Sequence, residues 1–299
     1  MIVGTGNVGA SIGFALINQR TAVNELILTD INQPDAEGEA MDLQDALAVA
    51  PSYMKIKAGT YADAGDCDVV IITAGAPQKE GETRLDLLKK NSAIFQDIVR
   101  PIMASGFNGI FLVVSNPMDI LTYLTWQYSG LPAEQVIGSG DVLDSARLRL
   151  RIAERLGVHP KSIHAHMVGE HGDSELALWS NATVGGQKLT DIIPEPARAE
   201  IEQSVRDKAY SIIQKKGATY YGIGACVAQI LSCILGDERR ILSVSSYDEF
   251  TDVYNSFPAV LGRQGIIRRL SLPMNEKEGI AFQQSCNTLR NAIAQITTP

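Results

Sequence analysis

Several short stretches of this chain carry side chains whose types and spacing could do chemistry. Gly169-Glu170-His171-Gly172-Asp173-Ser174 sets a histidine between glycines. A single histidine is as a rule structural, but glycine on either side permits close approach by a ligand or by backbone. Asp144-Ser145-Ala146-Arg147 puts a carboxylate and a guanidinium at i and i+3, on one face of a helix. Such a pair is either a plain helical salt bridge or part of a binding site. Ala74-Gly75-Ala76-Pro77-Gln78-Lys79-Glu80-Gly81-Glu82-Thr83-Arg84 follows an apolar run. Its glycines and proline suit a mobile loop at the carboxyl end of a strand, where open α/β sheets bind ligands.

Gly4-Thr5-Gly6-Asn7-Val8-Gly9 fits the G-x-G-x-x-G pattern, and Asp30 follows Gly9 by 21 residues. The pattern alone is weak. Here a short apolar segment precedes it, a helical stretch follows, and a second strand ends in Asp30, near the spacing of about 20 expected for a ribose-binding carboxylate. Gly4 permits the tight turn, Gly6 lets backbone approach a pyrophosphate, and Gly9 lets helix and strand pack. The helix N-terminus offers N–H groups and a positive dipole end to the phosphates. A carboxylate at Asp30 accepts ribose hydroxyls and repels a 2′-phosphate, which favours NAD over NADP. Only three residues precede Gly4. They leave no room for a signal peptide, and so short a first strand suggests that the natural polypeptide starts further upstream.

The elements that must position these residues follow from hydrophobic periodicity. Glu25–Thr29, Asp68–Thr73 and Ile110–Ser115 are nearly continuous apolar runs, as strands buried on both faces of a parallel sheet read. Helical stretches over Ala10–Gln19, Glu37–Val49 and Thr83–Ser105 separate them. This alternation predicts a Rossmann-type doubly wound parallel sheet over residues 1–139. Amphipathic stretches at Leu143–Leu156, Arg198–Lys216 and Gly222–Leu235, with a β-rich segment at Ile241–Ser246, predict an α+β domain over 140–299. Pro194-Glu195-Pro196 reads as a loop. The net charge of −8 argues against a nucleic-acid partner, and no apolar run approaches the length of a membrane helix. Cys67, Cys226, Cys233 and Cys286 form no C-x-x-C pair and no metal-like spacing, so no metal is expected. Scattered free thiols fit a reducing cytoplasm.

Taken in order, the glycine motif, Gly75–Leu88, Val114-Ser115-Asn116-Pro117, Gly138-Ser139-Gly140 with Asp144–Arg147, Gly169–Ser174 and Lys216–Gly222 resemble the lactate/malate dehydrogenase family, nearest to its bacterial L-lactate branch. The resemblance implies reversible oxidation of a small L-2-hydroxy acid, with lactate and pyruvate as the expected substrate pair and NAD as cofactor. It makes His171 the acid/base, Asp144 its orienting carboxylate, and Arg147 the bidentate partner of the substrate carboxylate, a geometry lysine does not reproduce. Arg84 would polarise the substrate carbonyl when the loop closes, Asn116 would contact the reacting oxygen or the histidine, and Thr219 would line the substrate pocket. Val8, Gly75, Ala76, Val114, Asn116, Ser139 and Ile223 join Gly4, Gly6, Gly9 and Asp30 as cofactor contacts. Gln78 stands where malate-specific members carry arginine, and an uncharged side chain there leaves a second substrate carboxylate unpaired. A branched 2-hydroxy acid such as 2-hydroxyisocaproate, malate itself, a non-catalytic NAD-binding protein and a metal-dependent glycosidase relative are the alternatives. The resemblance also implies a homotetramer. It pairs Arg149, about 200° around the helix from Arg147, with His164 as a fructose 1,6-bisphosphate site across a two-fold interface.

Overall fold

The computed structural model describes residues 1–76 and 84–297, with only the backbone of Arg84 and Thr297. The chain opens with β1 (Ile2–Val3), α1 (Asn7–Asn18), β2 (Glu25–Thr29), α2 (Gln33–Leu47), β3 (Lys55–Ala58) and β4 (Val69–Ile72). It continues through α3 (Arg84–Ala104), β5 (Ile110–Val113), α4 (Met118–Ser129), β6 (Val136–Gly138) and α5 (Val142–Leu156). Short strands β7 (Ile163–His164), β8 (Met167–Val168), β9 (Leu176–Ala177), β10 (Thr183–Val184) and β11 (Gln187–Lys188) follow, then the one-turn α6 (Leu189–Ile192). The chain then forms α7 (Glu195–Lys216), α8 (Tyr221–Leu235), β12 (Arg240–Asp248), β13 (Val253–Gly262), β14 (Gly265–Arg269) and α9 (Glu276–Thr297).

Six parallel strands lie in the order β3-β2-β1-β4-β5-β6, the doubly wound arrangement expected of buried apolar runs joined by helices. Their side chains alternate between two cores. Val69, Ile71, Ile110 and Leu112 face the core built with α1, α2 and α8. Val70, Ile72, Phe111 and Val113 face the one built with α3, α4 and α9. Burial on both faces is why these strands show no polar alternation.

The sheet does not stop at β6. β12 pairs antiparallel with β6 through Ser245 and Gly138, and β13 and β14 extend it to nine strands. The sheet therefore runs across the 139/140 division read from the sequence. A separate core of Leu148, Ile152, Trp179, Ile201 and Val205 joins α5 to α7 and the small strands. The turn from β6 into α5 is forced by contact: Gly140 has φ +57°, and a Cβ there would sit 2.5 Å from the Ser245 nitrogen on β12.

Two helices begin earlier than periodicity suggests. α2 starts at Gln33 and α7 at Glu195, each with a proline in its first turn. Pro196 is thus helical and not part of a loop. First-turn N–H groups have no intrahelical acceptor, so a proline there sacrifices no hydrogen bond. All three of Cys226, Cys233 and Cys286 are buried and all four thiols are free. No helix among the described residues is long and apolar enough to cross a membrane.

Candidate active site

At the carboxyl end of β1 the glycine motif makes the turn that the sequence predicts. Gly4 has φ +97°, and a Cβ on Gly9 would fall 2.0 Å from the Gly4 carbonyl oxygen, so the α1 backbone packs directly on the turn. Gly6 is different. A Cβ there would meet nothing within 4 Å. Gly6 is the N-cap of α1 and has no side chain to cap it, so no N-cap side chain occupies the first-turn N–H groups of α1. Asp30, at the end of β2, is held on both oxygens: Oδ2 accepts from the Thr5 N–H at 2.7 Å, and Oδ1 from the Asn32 N–H at 3.0 Å. Its carboxylate is thereby fixed beside the turn with lone pairs left over.

Neighbouring strand ends complete a continuous crest. Gly75 would bring a Cβ to 3.5 Å from Ser115, whose hydroxyl donates to the Ala74 carbonyl at 2.6 Å. The Ser139 N–H donates to the Val113 carbonyl at 2.8 Å. Asn91 of α3, fully buried, ties the crest together. Its Oδ1 accepts from the Ala76 N–H at 2.8 Å, and its Nδ2 donates to the Asn116 carbonyl at 3.2 Å. Val8, Val114 and Ile223 are half-buried on one core. An open helix N-terminus, a fixed ribose-type carboxylate and an apolar flank are what a dinucleotide requires, so the residues present fit NAD.

The second group lies where α5 begins, three residues beyond the end of β6. His171 Nδ1 is 2.9 Å from Asp141 Oδ1 and 3.3 Å from Asp144 Oδ2. Asp144 Oδ1 accepts from Arg147 at 2.6 Å. The helical salt bridge and the site reading of Asp144 and Arg147 are thus both realised, in one cluster with His171. Asp141 precedes Asp144 by one helical turn and was not singled out from the sequence. Its signal, Asp-x-x-Asp-x-x-Arg on one face, was present.

The loop carrying His171 is anchored from three sides. The His171 N–H donates to Asp119 Oδ2 of α4 at 2.7 Å, and Asp119 Oδ1 accepts from Ser245 of β12 at 2.5 Å. Gly169 exchanges both backbone hydrogen bonds with Ser256 of β13, and the Glu170 N–H donates to Ser285 of α9 at 2.7 Å. Asp119, Ser256 and Ser285 were not legible as site residues, because each meets the loop across a large sequence separation, and Ser245 reaches it only through Asp119.

Burial and charge set the protonation of this cluster. Burial disfavours a charged imidazole at His171, but the hydrogen bonds to Asp141 and Asp144 outweigh it and hold its pKa well above the ordinary value. Burial pushes Asp141 up to about 7, partly offset by His171. Burial also opposes ionisation of Asp144, yet His171 and Arg147 together keep it below the usual carboxylate range. Glu175, buried close by, is pushed up to about 10 by burial and then by the two aspartates. Burial raises Asp119 to about 6 against its hydrogen bonds from Ser245 and His171. One carboxylate oxygen each of Asp141, Asp144 and Glu175 and a ring nitrogen of His171 lie within 4.8 Å of one another. With Nδ1 engaged by aspartate and Asp144 by Arg147, we read this cluster as a proton-sharing group and assign it no metal.

Gln78 lies outside the described residues, and so does the side chain of Arg84. Thr219 and Asn116 have half-buried and exposed positions respectively, at the start of α8 and the end of β5. Arg149 points from α5 away from Asp144 and donates to the Ala165 carbonyl at 3.3 Å, while His164 is exposed on β7. Both act on His166, whose pKa falls to about 4 through burial first and then the charges of Arg149 and His164. A concavity of about 1080 Å³ opens at the opposite, amino-terminal end of the sheet, among Asn24, Asp66, Asn108 and Gln135, and contains none of the acid–base set.

Fold and site define a dinucleotide-binding enzyme framework whose proton-transfer group sits at the end of the parallel sheet. Residues 1–138 match the lactate/malate dehydrogenase NAD-binding domain, and residues 142–298 match the family's alpha/beta C-terminal domain. The chain is 49% identical to L-lactate dehydrogenase 2 of Bacillus anthracis, over 99% of this chain and 97% of that protein. L-lactate dehydrogenase 1 of Bacillus cereus is 48% identical over the same shares. Among solved structures, a lactate dehydrogenase from a Medee basin deep-sea metagenome superposes with a TM-score of 0.97 at 46% identity, covering 99% of this chain and 98% of that one. The minor L-lactate dehydrogenase of Enterococcus mundtii, in its ligands-bound form, gives 0.96 at 44% identity, covering 100% and 98%. This chain belongs to the lactate/malate dehydrogenase family.

Proposed function

We propose that this chain is an NAD-dependent L-lactate dehydrogenase that interconverts L-lactate and pyruvate, with residues 1–139 holding the cofactor and 140–299 the substrate. The observation that carries the reading is the His171–Asp144–Arg147 cluster at the end of a sheet whose first turn fits a dinucleotide. Bound NAD supplies the hydride acceptor at the substrate C2. With Nδ1–H donated to aspartate, Nε2 is left to take the C2 hydroxyl proton, and to return it to the carbonyl oxygen in the reverse direction. Arg147 keeps donors beyond its bond to Asp144 and binds the substrate carboxylate. Asp30 selects NAD by accepting ribose hydroxyls. Val8, Gly75, Ala76, Val114, Ser139 and Ile223 complete the cofactor contacts with Gly4, Gly6 and Gly9. Arg84 polarises the carbonyl, Asn116 and Thr219 flank the substrate, and Gln78 rejects a second carboxylate.

We further propose a cytoplasmic homotetramer in which Arg149 and His164 bind fructose 1,6-bisphosphate. That Arg149 and His164 both act on His166 brings those two groups into one neighbourhood, which supports the pairing, while His166 itself stays neutral there. NADH consumption with pyruvate, oxaloacetate and 2-oxoisocaproate tests the substrate. Pyruvate is expected to be preferred, and a preference for either other acid overturns the assignment. His171→Asn should nearly abolish turnover while NADH still binds, since no cofactor contact depends on it. Near-normal turnover in that variant removes the acid–base role.

A further inference from the structure

Asp141 stands closer to His171 than Asp144 does, and its situation differs in kind. Both aspartates are buried; among the described residues Asp141 Oδ2 has no hydrogen-bond partner, while Asp144 Oδ2 faces His171 Nδ1 at 3.3 Å. Asp144, however, shares its charge with Arg147 through Oδ1. Among the described residues Asp141 has no such cation, and its one side-chain hydrogen bond is to His171. It is fixed there by the backbone: it occupies the N-cap of α5, directly after the Gly140 turn that β12 presses into place. We propose that Asp141 is a second positioning carboxylate for His171, which together with Asp144 grips Nδ1–H and stabilises the proton-carrying imidazole. This rests on the proton-transfer role assigned to His171 above.

The groups facing the imidazole are Asp141, Asp144 and Arg147 from α5, Asp119 from α4, and Glu170 and Glu175 from its own loop. Of these, Arg147 is the sole cation among the described residues, and Asp144 already answers it. Asp119 is spent on the His171 main-chain N–H and on Ser245. Glu175 is held neutral by burial at ordinary pH. An imidazolium is therefore compensated by two carboxylates: Asp144, whose charge His171 shares with Arg147, and Asp141, which stands nearer to Nδ1 and faces no other cation among the described residues. In pyruvate reduction the Nε2 proton would pass to the carbonyl oxygen, with bound NADH supplying the hydride, and Nδ1–H would stay on the ring, bonded to Asp141. The proton released in lactate oxidation follows the same path backward.

Asp141→Asn keeps an acceptor oxygen for Nδ1–H and removes the charge, so it separates charge from geometry. The pH dependence of kcat/KM is measured from pH 5 to 10 in both directions, beside wild type and Asp144→Asn. The limb at which pyruvate reduction fails for want of a proton should move down by about one pH unit or more in Asp141→Asn, a tenfold loss on its alkaline side. The rising limb of lactate oxidation should move down with it. A merely structural role lowers both plateaus and leaves the limbs in place. Limbs unmoved within about 0.3 unit overturn the proposal, whatever the plateau heights. If Asp141→Asn does not fold, nitrogen-detected NMR of wild-type histidine decides, with His171 assigned by its loss in His171→Asn. Titration of His171 above pH 8 supports the second carboxylate, and titration at or below about 6.5 overturns it. The NMR titration does not depend on the substrate, and turnover by His171→Asn would show instead that the acid–base assignment itself is wrong.

Discussion

Replacing Asp119 by asparagine should make this protein more stable at neutral pH and not at acid pH. Asp119 is 3% exposed, and its carboxyl is raised from 3.8 to about 6, chiefly by burial. A carboxyl whose folded pKa lies above its unfolded one binds more protons when folded. Its contribution to stability is therefore present below about pH 4 and is lost as pH rises through 6. At about 1.4 kcal/mol per pH unit the cost at pH 7.5 is about 3 kcal/mol. Asparagine removes that charge. Its Oδ1 can still accept from the His171 N–H, and Ser245 can turn to accept from the amide, so exchanging the two charged hydrogen bonds costs about 1–2 kcal/mol. The net gain at pH 7.5 is then about 1–2 kcal/mol, a rise in Tm of roughly 2–4 °C for a chain of this size. Below about pH 4.5 the gain should vanish or reverse. Differential scanning calorimetry of both proteins at pH 4.5, 6 and 7.5, at one fixed concentration, reads this double difference. A variant less stable than wild type at pH 7.5 by more than at pH 4.5 would show that the ionised carboxylate is worth more than its burial costs, and the reasoning fails.

Gly9→Ala brings a Cβ to 2.0 Å from the Gly4 carbonyl oxygen, so the turn must open and NADH should bind at least about tenfold more weakly; unchanged affinity by fluorescence titration removes the close-approach role. Gln78→Arg adds a cation for a second substrate carboxylate and should shift preference from pyruvate toward oxaloacetate by about 100-fold, since a buried charge pair changes discrimination by several kcal/mol. An unchanged preference ratio places Gln78 away from the substrate. Fructose 1,6-bisphosphate should lower the apparent KM for pyruvate in wild type and not in Arg149→Gln. Absence of activation at every pH from about 5 to 8 would falsify the effector reading and leave the catalytic one untouched.

The loop at Gly169–Ser174 shows how far local pattern reaches. Glycines around His171 marked it as approachable, and the i, i+3 spacing of Asp144 and Arg147 placed them on one helical face. Neither observation said that the two stretches meet. That depends on Asp119, Ser256 and Ser285, which hold the loop from α4, β13 and α9. Asn91 is a similar case. A polar residue in an amphipathic helix that carries many others has no distinguishing pattern until the loops it bonds are seen folded against it.

What the sequence determined by itself is what depends on neighbours along the chain. The glycine turn, the Asp30 spacing, the strands β2, β4 and β5 within a residue or two, and the amphipathic course of α5 and α8 follow from steric freedom and from periods of 2 and 3.6. Tertiary structure decided what depends on partners remote in sequence. β12 joined β6, so the sheet crossed the expected domain division. Pro196 became helical because a first turn tolerates a missing N–H. Asp141 became a partner of His171, though 30 residues separate them. Residue type and spacing could nominate the aspartate, but burial removes its solvent and leaves the imidazole as its one side-chain hydrogen-bond partner among the described residues, and only folding determines which groups share a buried space.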